Sequence, residues 1–148
     1  MMLKTRMNIG KAEPKLYKAM SAADNLLPTL ALESKLQELI RIRVSQINGC
    51  GYCIDSHTQA ALELGESTQR LMALAAWWET PFFTETEQVV LKLAEEVTRI
   101  HKGGVSDETY ARALAVLGEQ KLAQVIFVTV TIGSWNRIAI SMHMVAGE

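Results

Sequence analysis

Cys50 and Cys53 are the two cysteines of this chain, and two residues separate them. His57 follows Cys53 by four positions. In a helix that begins near Cys50, residues three and four positions apart lie on one face, so this face would carry both thiols and the imidazole. Glu38 precedes Cys50 by twelve positions, and a turn at Asn48-Gly49 would fold its helix back toward the same face. The spacing predicts a site that combines two thiols, an imidazole and a carboxylate.

Thiol redox reactions use these four groups together. A thiol becomes a strong nucleophile only after it loses its proton, and a helix N-terminus, a neighbouring base or a cation lowers its pKa from about 8.5. Attack on a peroxide yields a sulfenic acid, and a second thiol condenses with that acid to form a disulfide. His57 could accept or relay the Cys53 proton, while Glu38 could orient the imidazole or move a proton through water.

Other uses of a Cys-x-x-Cys pair fit this sequence less well. Two cysteines on a helix can simply pack in a core. A zinc site would need Glu38, His101 or His143 as its fourth ligand, and none of the three has the usual ligand spacing. Covalent haem attachment requires a histidine directly after Cys53, where this chain has Ile54. A thioredoxin fold would place the pair beside a βαβ pattern, which this sequence lacks. We therefore expect a redox site without a metal ion or another cofactor.

The same residues resemble a known family motif. Glu38, eleven intervening residues, Cys50-x-x-Cys53, three more residues and His57 are similar to the core motif of AhpD-like alkylhydroperoxidases, in the carboxymuconolactone decarboxylase-like superfamily. The residues around the cysteines resemble the short, single-domain members, and Trp135-Asn136-Arg137 adds a weaker match. The detailed likeness covers residues 38–65.

The resemblance implies a fold, an activity and a role for each site residue. Cys53 would be the peroxidatic cysteine, Cys50 the resolving cysteine, and Glu38 with His57 the proton relay. The protein would be an all-helical, thiol-dependent peroxidase that reduces alkyl hydroperoxides or hydrogen peroxide with a thiol or dithiol reductant. Members of the family assemble as trimers or hexamers, so a homo-oligomer is expected.

Two features of the cysteine pair bear on these roles. The thiol nearer the helix N-terminus gains most from the helix dipole, which favours Cys50 as the nucleophile, whereas the adjacency of His57 and the resemblance favour Cys53. Tyr52 stands directly before the second cysteine, where the best-known AhpD proteins have a histidine. A tyrosine donates a hydrogen bond but does not act as a base near pH 7, so Tyr52 is placed as a supporting residue.

Two further functions stay open on the sequence. The pair could serve a redox-sensing or disulfide-exchange protein that has no peroxidase turnover. Lactone decarboxylation, the reaction that names the superfamily, would use acid–base residues and leave the cysteines without a role.

Predicted helices must position this site. Apolar residues recur at three- and four-residue steps from Thr84 to His101, with a capping box at Thr84 and Glu87 and a stop at Gly103-Gly104. Comparable start and stop signals delimit residues 32–47, 50–64, 67–78 and 106–118. Residues 125–132 are rich in β-branched side chains, but a lone strand would leave backbone groups unpaired, so we predict a helix there as well. The sequence predicts one all-α domain over residues 1–148, a bundle of about six to seven helices.

Composition and charge exclude several classes of function. A net charge of −1 leaves no broad basic surface for nucleic acid, and two cysteines are too few for a secreted disulfide scaffold. Residues 1–20 lack the continuous apolar run of a secretory signal. Polar residues interrupt the apolar stretch 122–144, which favours a buried helix over a membrane span. We expect a soluble cytoplasmic protein without nucleic-acid or membrane partners, and a mean hydropathy of +0.09 leaves apolar surface for subunit contacts.

Two other groups of residues invite a functional interpretation. An aromatic cluster, Trp77, Trp78, Phe82 and Phe83, stands at a predicted helix end. It would be a lid over an apolar peroxide, a subunit contact or, as is commoner for aromatic residues, core and helix-end packing. Arg137 would bind a substrate carboxylate, pair with an acidic group or face solvent.

Overall fold

The computed structural model describes residues 3–147, and in these residues the chain forms seven α-helices and no strand. The helices are α1 (Ile9–Ala12), α2 (Pro14–Leu26), α3 (Ser34–Asn48), α4 (Gly51–Glu63), α5 (Thr68–Ala73), α6 (Glu85–Thr98) and α7 (Asp107–Met142). Short 3-10 turns lie at Leu27–Thr29, Leu74–Glu79 and Ile100–Lys102. The all-α prediction with about six to seven helices is confirmed.

The hydrophobic core lies between α3, α6 and α7, which pack against one another. Its larger cluster contains fully buried side chains from all three helices, among them Ile40, Val44, Val90, Leu93, Val125 and Val128. A second cluster uses other faces of α3 and α6, and it includes Leu39, Ile42, Leu74, Trp77 and Leu91. Burial of each aliphatic side chain contributes about 1.5–3 kcal/mol, so these three helices form the frame on which the shorter helices are placed.

The capping signals predicted for α6 are present. Thr84 accepts from Glu87 N–H at 3.2 Å, and the Glu87 carboxylate accepts from Thr84 N–H at 2.8 Å. The helix ends at Thr98, earlier than His101, because the chain continues as a 3-10 turn before Gly103 takes a left-handed conformation (φ 101°).

The helix predicted over residues 67–78 is present only in its first half. Ser67 caps α5 as expected, but α5 has six residues and passes into a 3-10 turn. The backbone leaves helical geometry at Ala76 (φ −135°, ψ 41°). Trp77 then enters the second core cluster, where its indole N–H donates to Glu95 at 2.9 Å. The prediction is wrong for the second half because this tertiary contact overrides helical continuation.

The apolar C-terminal stretch is helical, as predicted, despite its β-branched residues. α7 is interrupted at Gly118 (φ 75°, ψ 169°), where the sequence predicts a helix end. The hydroxyls of Thr129 and Thr131 donate to carbonyl groups four residues earlier, which satisfies them inside the helix. The expectation of a buried helix holds for one side only, because Phe127 is 66% exposed and Val130 is 51% exposed.

By length and composition, α7 is the one helix in residues 3–147 that could cross a membrane. One such helix is weak evidence for a membrane span, and the inward side of α7 packs against α3 and α6. A soluble protein is therefore favoured.

The N-terminal segment contains helices that apolar spacing does not predict. Asn8 caps α1, and Pro14 begins α2, where its missing N–H is not needed. Arg6 ties this segment to the end of α7. Its backbone N–H donates to the Met142 carbonyl (2.8 Å), and its guanidinium donates to the Ser141 carbonyl (3.1 Å). Residues before α3 therefore lie against the C-terminal end of α7.

Candidate active site

A tight turn between α3 and α4 brings the predicted site residues together. Gly49 ends α3 in a left-handed conformation (φ 73°), which costs little for a residue without a Cβ. Cys50 is the N-cap of α4. Its backbone N–H donates to the Ser45 carbonyl (3.0 Å), and its sulfur accepts from Cys53 N–H (3.3 Å). The predicted turn at Asn48-Gly49 is confirmed, and it packs α4 against α3.

Asn136 holds this turn from α7. Its fully buried side chain donates to Ser45 Oγ (2.9 Å), and its carbonyl oxygen accepts from Asn48 Nδ2 (3.0 Å). Both partners lie in the last turn of α3, just before Cys50. In the sequence, Asn136 belongs only to a weak motif match. An amide within an apolar helix nevertheless signals such an anchor, because buried polar groups need partners.

The two cysteines form a disulfide, with their Cα atoms 5.3 Å apart. Their surroundings differ. Cys50 is 0% exposed, whereas Cys53 is 4% exposed and lines a cavity. Cys53 is therefore the cysteine that a molecule in the cavity meets.

Glu38 reaches His57 across the α3–α4 interface. Its Oε2 lies 2.8 Å from His57 Nδ1, and its Oε1 accepts a hydrogen bond from Arg41 Nη1. Burial of the Glu38 carboxyl opposes ionisation, but the hydrogen bond with His57 and the charge of Arg41 outweigh burial and lower the pKa of Glu38 below its ordinary value of 4.5. The carboxylate is ionised near neutral pH.

This hydrogen bond assigns the tautomer of neutral His57. An ionised carboxylate can only accept hydrogen bonds, so His57 Nδ1 must carry the proton that it donates to Glu38. The other ring nitrogen, Nε2, is then a proton acceptor. His57 also lines the cavity beside Cys53, so the site places a base and a sulfur around one space.

The cavity has a volume of about 430 Å³ and is walled by three parts of the chain. From α4 come Tyr52, Cys53, Ser56 and His57. The N-terminal segment and the C-terminal part of α7, with the residues just after it, contribute apolar side chains, namely Met7, Ile9, Tyr17, Ile132, Trp135, Ile138, Met142 and Met144. Asp24 of α2 also reaches the wall. A concave, mostly apolar space with a few polar groups accepts a small organic molecule.

Trp135 joins two walls of this cavity. Tyr17 of α2 packs edge-on against its indole ring, with ring centroids 5.3 Å apart. The Trp135 indole N–H is buried and has no hydrogen-bond partner among the described residues. Tyr17 is not predictable from the sequence, because nothing in local spacing links the first helices to α7.

Several residues considered from the sequence lie elsewhere. The aromatic cluster does not line the cavity: Trp77 and Phe83 are buried in the second core cluster, and Trp78 is 54% exposed. Packing is confirmed for Trp77 and Phe83, and a subunit contact stays a prediction for the exposed Trp78. The lid interpretation is wrong, because the aromatic residues that line the cavity are Tyr17, Tyr52 and Trp135. Arg137 donates to the Gly133 carbonyl of its own helix (2.8 Å) and is not a cavity residue.

The described part of the chain contains no group of three or more His, Cys, Asp or Glu side chains placed to hold a metal ion. His101 and His143, considered above as fourth zinc ligands, do not line the cavity at Cys53.

The chain is similar to several known proteins. The sequence profile of the carboxymuconolactone decarboxylase family matches residues 14–96. The uncharacterized protein YdfG of Bacillus subtilis is 36% identical over 137 residues, which are 93% of each chain. A crystal structure of a protein of unknown function from Agrobacterium tumefaciens, described as a candidate antioxidant defence protein AhpD, superposes with a TM-score of 0.94. It is 32% identical, with 98% of this chain and 99% of that one covered. The debrominase Bmp8 superposes with a TM-score of 0.82 at 18% identity, over 92% of this chain and 73% of that one, which shows a shared fold alone.

Proposed function

The chain belongs to the carboxymuconolactone decarboxylase family, and we propose that it is an AhpD-like, thiol-dependent peroxidase acting on alkyl hydroperoxides or hydrogen peroxide. One observation carries the proposal: Cys53 and His57 line the same cavity, and a 2.8 Å hydrogen bond joins His57 to Glu38. The apolar walls suit the organic part of a hydroperoxide. Similarity to the Agrobacterium protein supports an antioxidant role.

The first half of the reaction consumes the peroxide. His57 Nε2 takes the proton of the Cys53 thiol, and the thiolate attacks the terminal oxygen of the hydroperoxide. The O–O bond breaks, Cys53 becomes a sulfenic acid, and the alkoxide leaves as an alcohol after it takes the proton from His57. Tyr52 lines the same cavity, and its hydroxyl donates a hydrogen bond to the departing oxygen.

The second half restores the dithiol. The Cys50 thiol attacks the Cys53 sulfur, which forms the disulfide and releases water. Two thiol groups of a thiol or dithiol reductant then reduce this disulfide and leave oxidised as a disulfide themselves. The cysteine pair carries both electrons, so the scheme requires no cofactor.

Stopped-flow measurement of peroxide consumption with a dithiol reductant tests the proposal. With the reductant present, Cys53→Ser should lose turnover. Without reductant, Cys50→Ser should consume about one equivalent of peroxide and then stop as the sulfenic acid, because no second thiol is present to form the disulfide. Retention of wild-type turnover by Cys53→Ser would show that the catalytic assignment is wrong. Absence of peroxide consumption by the wild-type protein would refute the peroxidase.

Disulfide exchange or redox sensing without peroxide turnover is a second candidate, and the Cys50–Cys53 disulfide favours it. A dithiol–disulfide exchange assay and the oligomer size of reduced and oxidised protein separate this candidate from a peroxidase. Catalytic peroxide loss without a change in size would eliminate the sensor. A lactone decarboxylase is the remaining alternative, and a Cys50→Ser/Cys53→Ser variant with full activity on a lactone would favour it.

We also propose that the protein is a cytoplasmic homo-oligomer, a trimer or a hexamer. Large apolar side chains on its surface support this proposal, among them Met72 (79% exposed), Phe127 (66%) and Trp78 (54%). Light scattering coupled to size exclusion should give a mass three or six times that of one chain. A monomer at micromolar concentration would contradict the proposal.

A further inference from the structure

We infer that Arg41 is a positioning residue that holds Glu38 as a carboxylate, so that His57 presents Nε2, and not an N–H, to Cys53. This inference rests on the proposed function, because it assigns the group that fixes the direction of proton transfer in that site. It also separates two roles that the sequence leaves open for Glu38, since an anchored carboxylate orients the imidazole and does not itself carry the proton.

The two oxygens of Glu38 have different partners. Oε2 pairs with His57 Nδ1 at 2.8 Å, and Oε1 accepts from Arg41 Nη1. Glu38 (7% exposed) and Arg41 (9% exposed) are both buried. The guanidinium and the imidazole are the charged or titratable groups that act on Glu38, one from its own helix and one from α4.

Protonation of Glu38 would reverse the relay. A buried carboxyl without a nearby cation favours its neutral form. A neutral carboxyl would donate its O–H to His57 Nδ1, and the imidazole would then carry its own proton on Nε2. Nε2 could no longer take a proton from the Cys53 thiol. A cation beside Glu38 Oε1 prevents this reversal. Arg41, one helical turn further along α3, is that cation.

A purely structural role explains Arg41 less well. An exposed ion pair three positions apart on a helix contributes little to stability, but this pair is buried and its carboxylate contacts the site histidine. Arg43, on the same helix, provides the contrast. It is equally buried, and it pairs with Glu95 at 2.8 Å on the side of the second core cluster, away from His57.

The state of His57 in the wild-type protein provides a test that requires no variant. Nitrogen-15 shifts of the imidazole ring in the reduced protein report which nitrogen carries the proton. At a pH where the ring is neutral, we expect the Nδ1–H tautomer. A neutral ring with its proton on Nε2 would overturn the inference.

Variants at Arg41 test the cause. In a Cys50→Ser background, alkylation by iodoacetamide reports Cys53 alone, and serine preserves an N-cap oxygen at position 50. Arg41→Met should slow alkylation at pH 7 about tenfold, move the acid limb of its pH profile to higher pH and shift His57 toward the Nε2–H tautomer. Arg41→Lys, which keeps the charge, should stay within about threefold of the parent and keep its tautomer.

Arg43→Met is the matched control, because it breaks a buried arginine–glutamate pair of the same helix outside the site. It should lower thermal stability while leaving the tautomer and the shape of the pH profile unchanged. If Arg41→Met does not fold, Arg41→Gln replaces it with the same expectation. A folded, neutral variant at position 41 with the parent's tautomer and pH profile would refute the inference. Neither readout needs peroxide, so a wild-type protein that lacks peroxidase turnover would refute the proposed function and leave this test intact.

Discussion

Replacement of Asn136 by alanine should weaken both the fold and the site. The side chain makes two hydrogen bonds, to Ser45 Oγ at 2.9 Å and to Asn48 Nδ2 at 3.0 Å. Asn48 is only partly buried, so water can replace its partner, and this bond contributes about 1 kcal/mol. Ser45 is fully buried, and its hydroxyl would lose its donor at a cost of about 1–3 kcal/mol. The free energy of unfolding should therefore fall by about 2–4 kcal/mol, or roughly 5–15 °C in Tm for a chain of this length.

Urea unfolding at fixed protein concentration, followed by circular dichroism, measures this change. Ser134→Ala is the control, because the Ser134 hydroxyl lies on the same helix but donates only to the Val130 carbonyl of that helix. It should change the free energy of unfolding by less than about 0.5 kcal/mol. In a double-mutant cycle, Ser45→Ala should reduce the cost of Asn136→Ala by about 1–2 kcal/mol, because no stranded hydroxyl remains.

Asn136→Ala also tests whether the anchor serves the cysteine turn. Loss of the anchor frees the end of α3 directly before Cys50, so peroxide turnover should fall by about tenfold in protein that is still folded. An Asn136→Ala variant within about 0.5 kcal/mol of the wild type, with no coupling to Ser45, would refute the reasoning from buried hydrogen bonds.

Three further predictions concern acid stability, the Tyr52 hydroxyl and the cavity wall. Burial opposes ionisation of three carboxyls, but hydrogen bonds outweigh it and lower the pKa of Glu38, Glu87 and Glu96 below 4.5. The unfolded chain therefore binds more protons in acid, so this stabilisation is full above about pH 4.5 and is lost as the pH falls through the lowered pKa values of the folded state. Urea unfolding between pH 7 and pH 3 should show this loss of stability. A free energy of unfolding that rises toward pH 3 would contradict the prediction. Tyr52→Phe should lower kcat/KM for peroxide about fivefold, close to the value of one hydrogen bond, and an unchanged kcat/KM would make Tyr52 a wall residue only. Tyr17→Ala removes the aromatic contact with Trp135 and should raise the KM for cumene hydroperoxide about fivefold, while the KM for hydrogen peroxide should change by less than about twofold. Equal effects on both peroxides would exclude a role of Tyr17 in selectivity.

The sequence predicts those residues of the site that lie close to one another along the chain. Cys50, Cys53 and His57 share one helix, and Glu38 precedes them across a single turn, so helical periodicity and one glycine are enough to place them together. The all-α fold and the caps of α6 are predictable for the same reason. Apolar spacing and capping signals act over a few residues, and no tertiary contact opposes them in α6.

The remaining parts depend on contacts between distant segments. Tyr17 meets Trp135 across nearly the whole chain, and no local pattern joins them. Arg41 resembles an ordinary helix-surface charge until burial and its contact with Glu38 are seen. The second half of the helix predicted after Ser67 is wrong for a similar reason, because the hydrogen bond from Trp77 to Glu95 determines the chain path there.

The helix N-terminus favours Cys50 and the adjacency of His57 favours Cys53, and these two effects act in different halves of the proposed cycle. The sulfur that gains from the helix N-terminus is that of Cys50, which caps α4 and accepts the Cys53 N–H, but it is fully buried. A stabilised, inaccessible thiolate is a good leaving group when a reductant attacks the other sulfur. Cys53, which shares its cavity with His57, is the sulfur that can meet both the peroxide and the reductant. Both substrates would then enter the same space in alternation, so an unreactive analogue that fills the cavity should block reduction of the disulfide as well as oxidation of the dithiol.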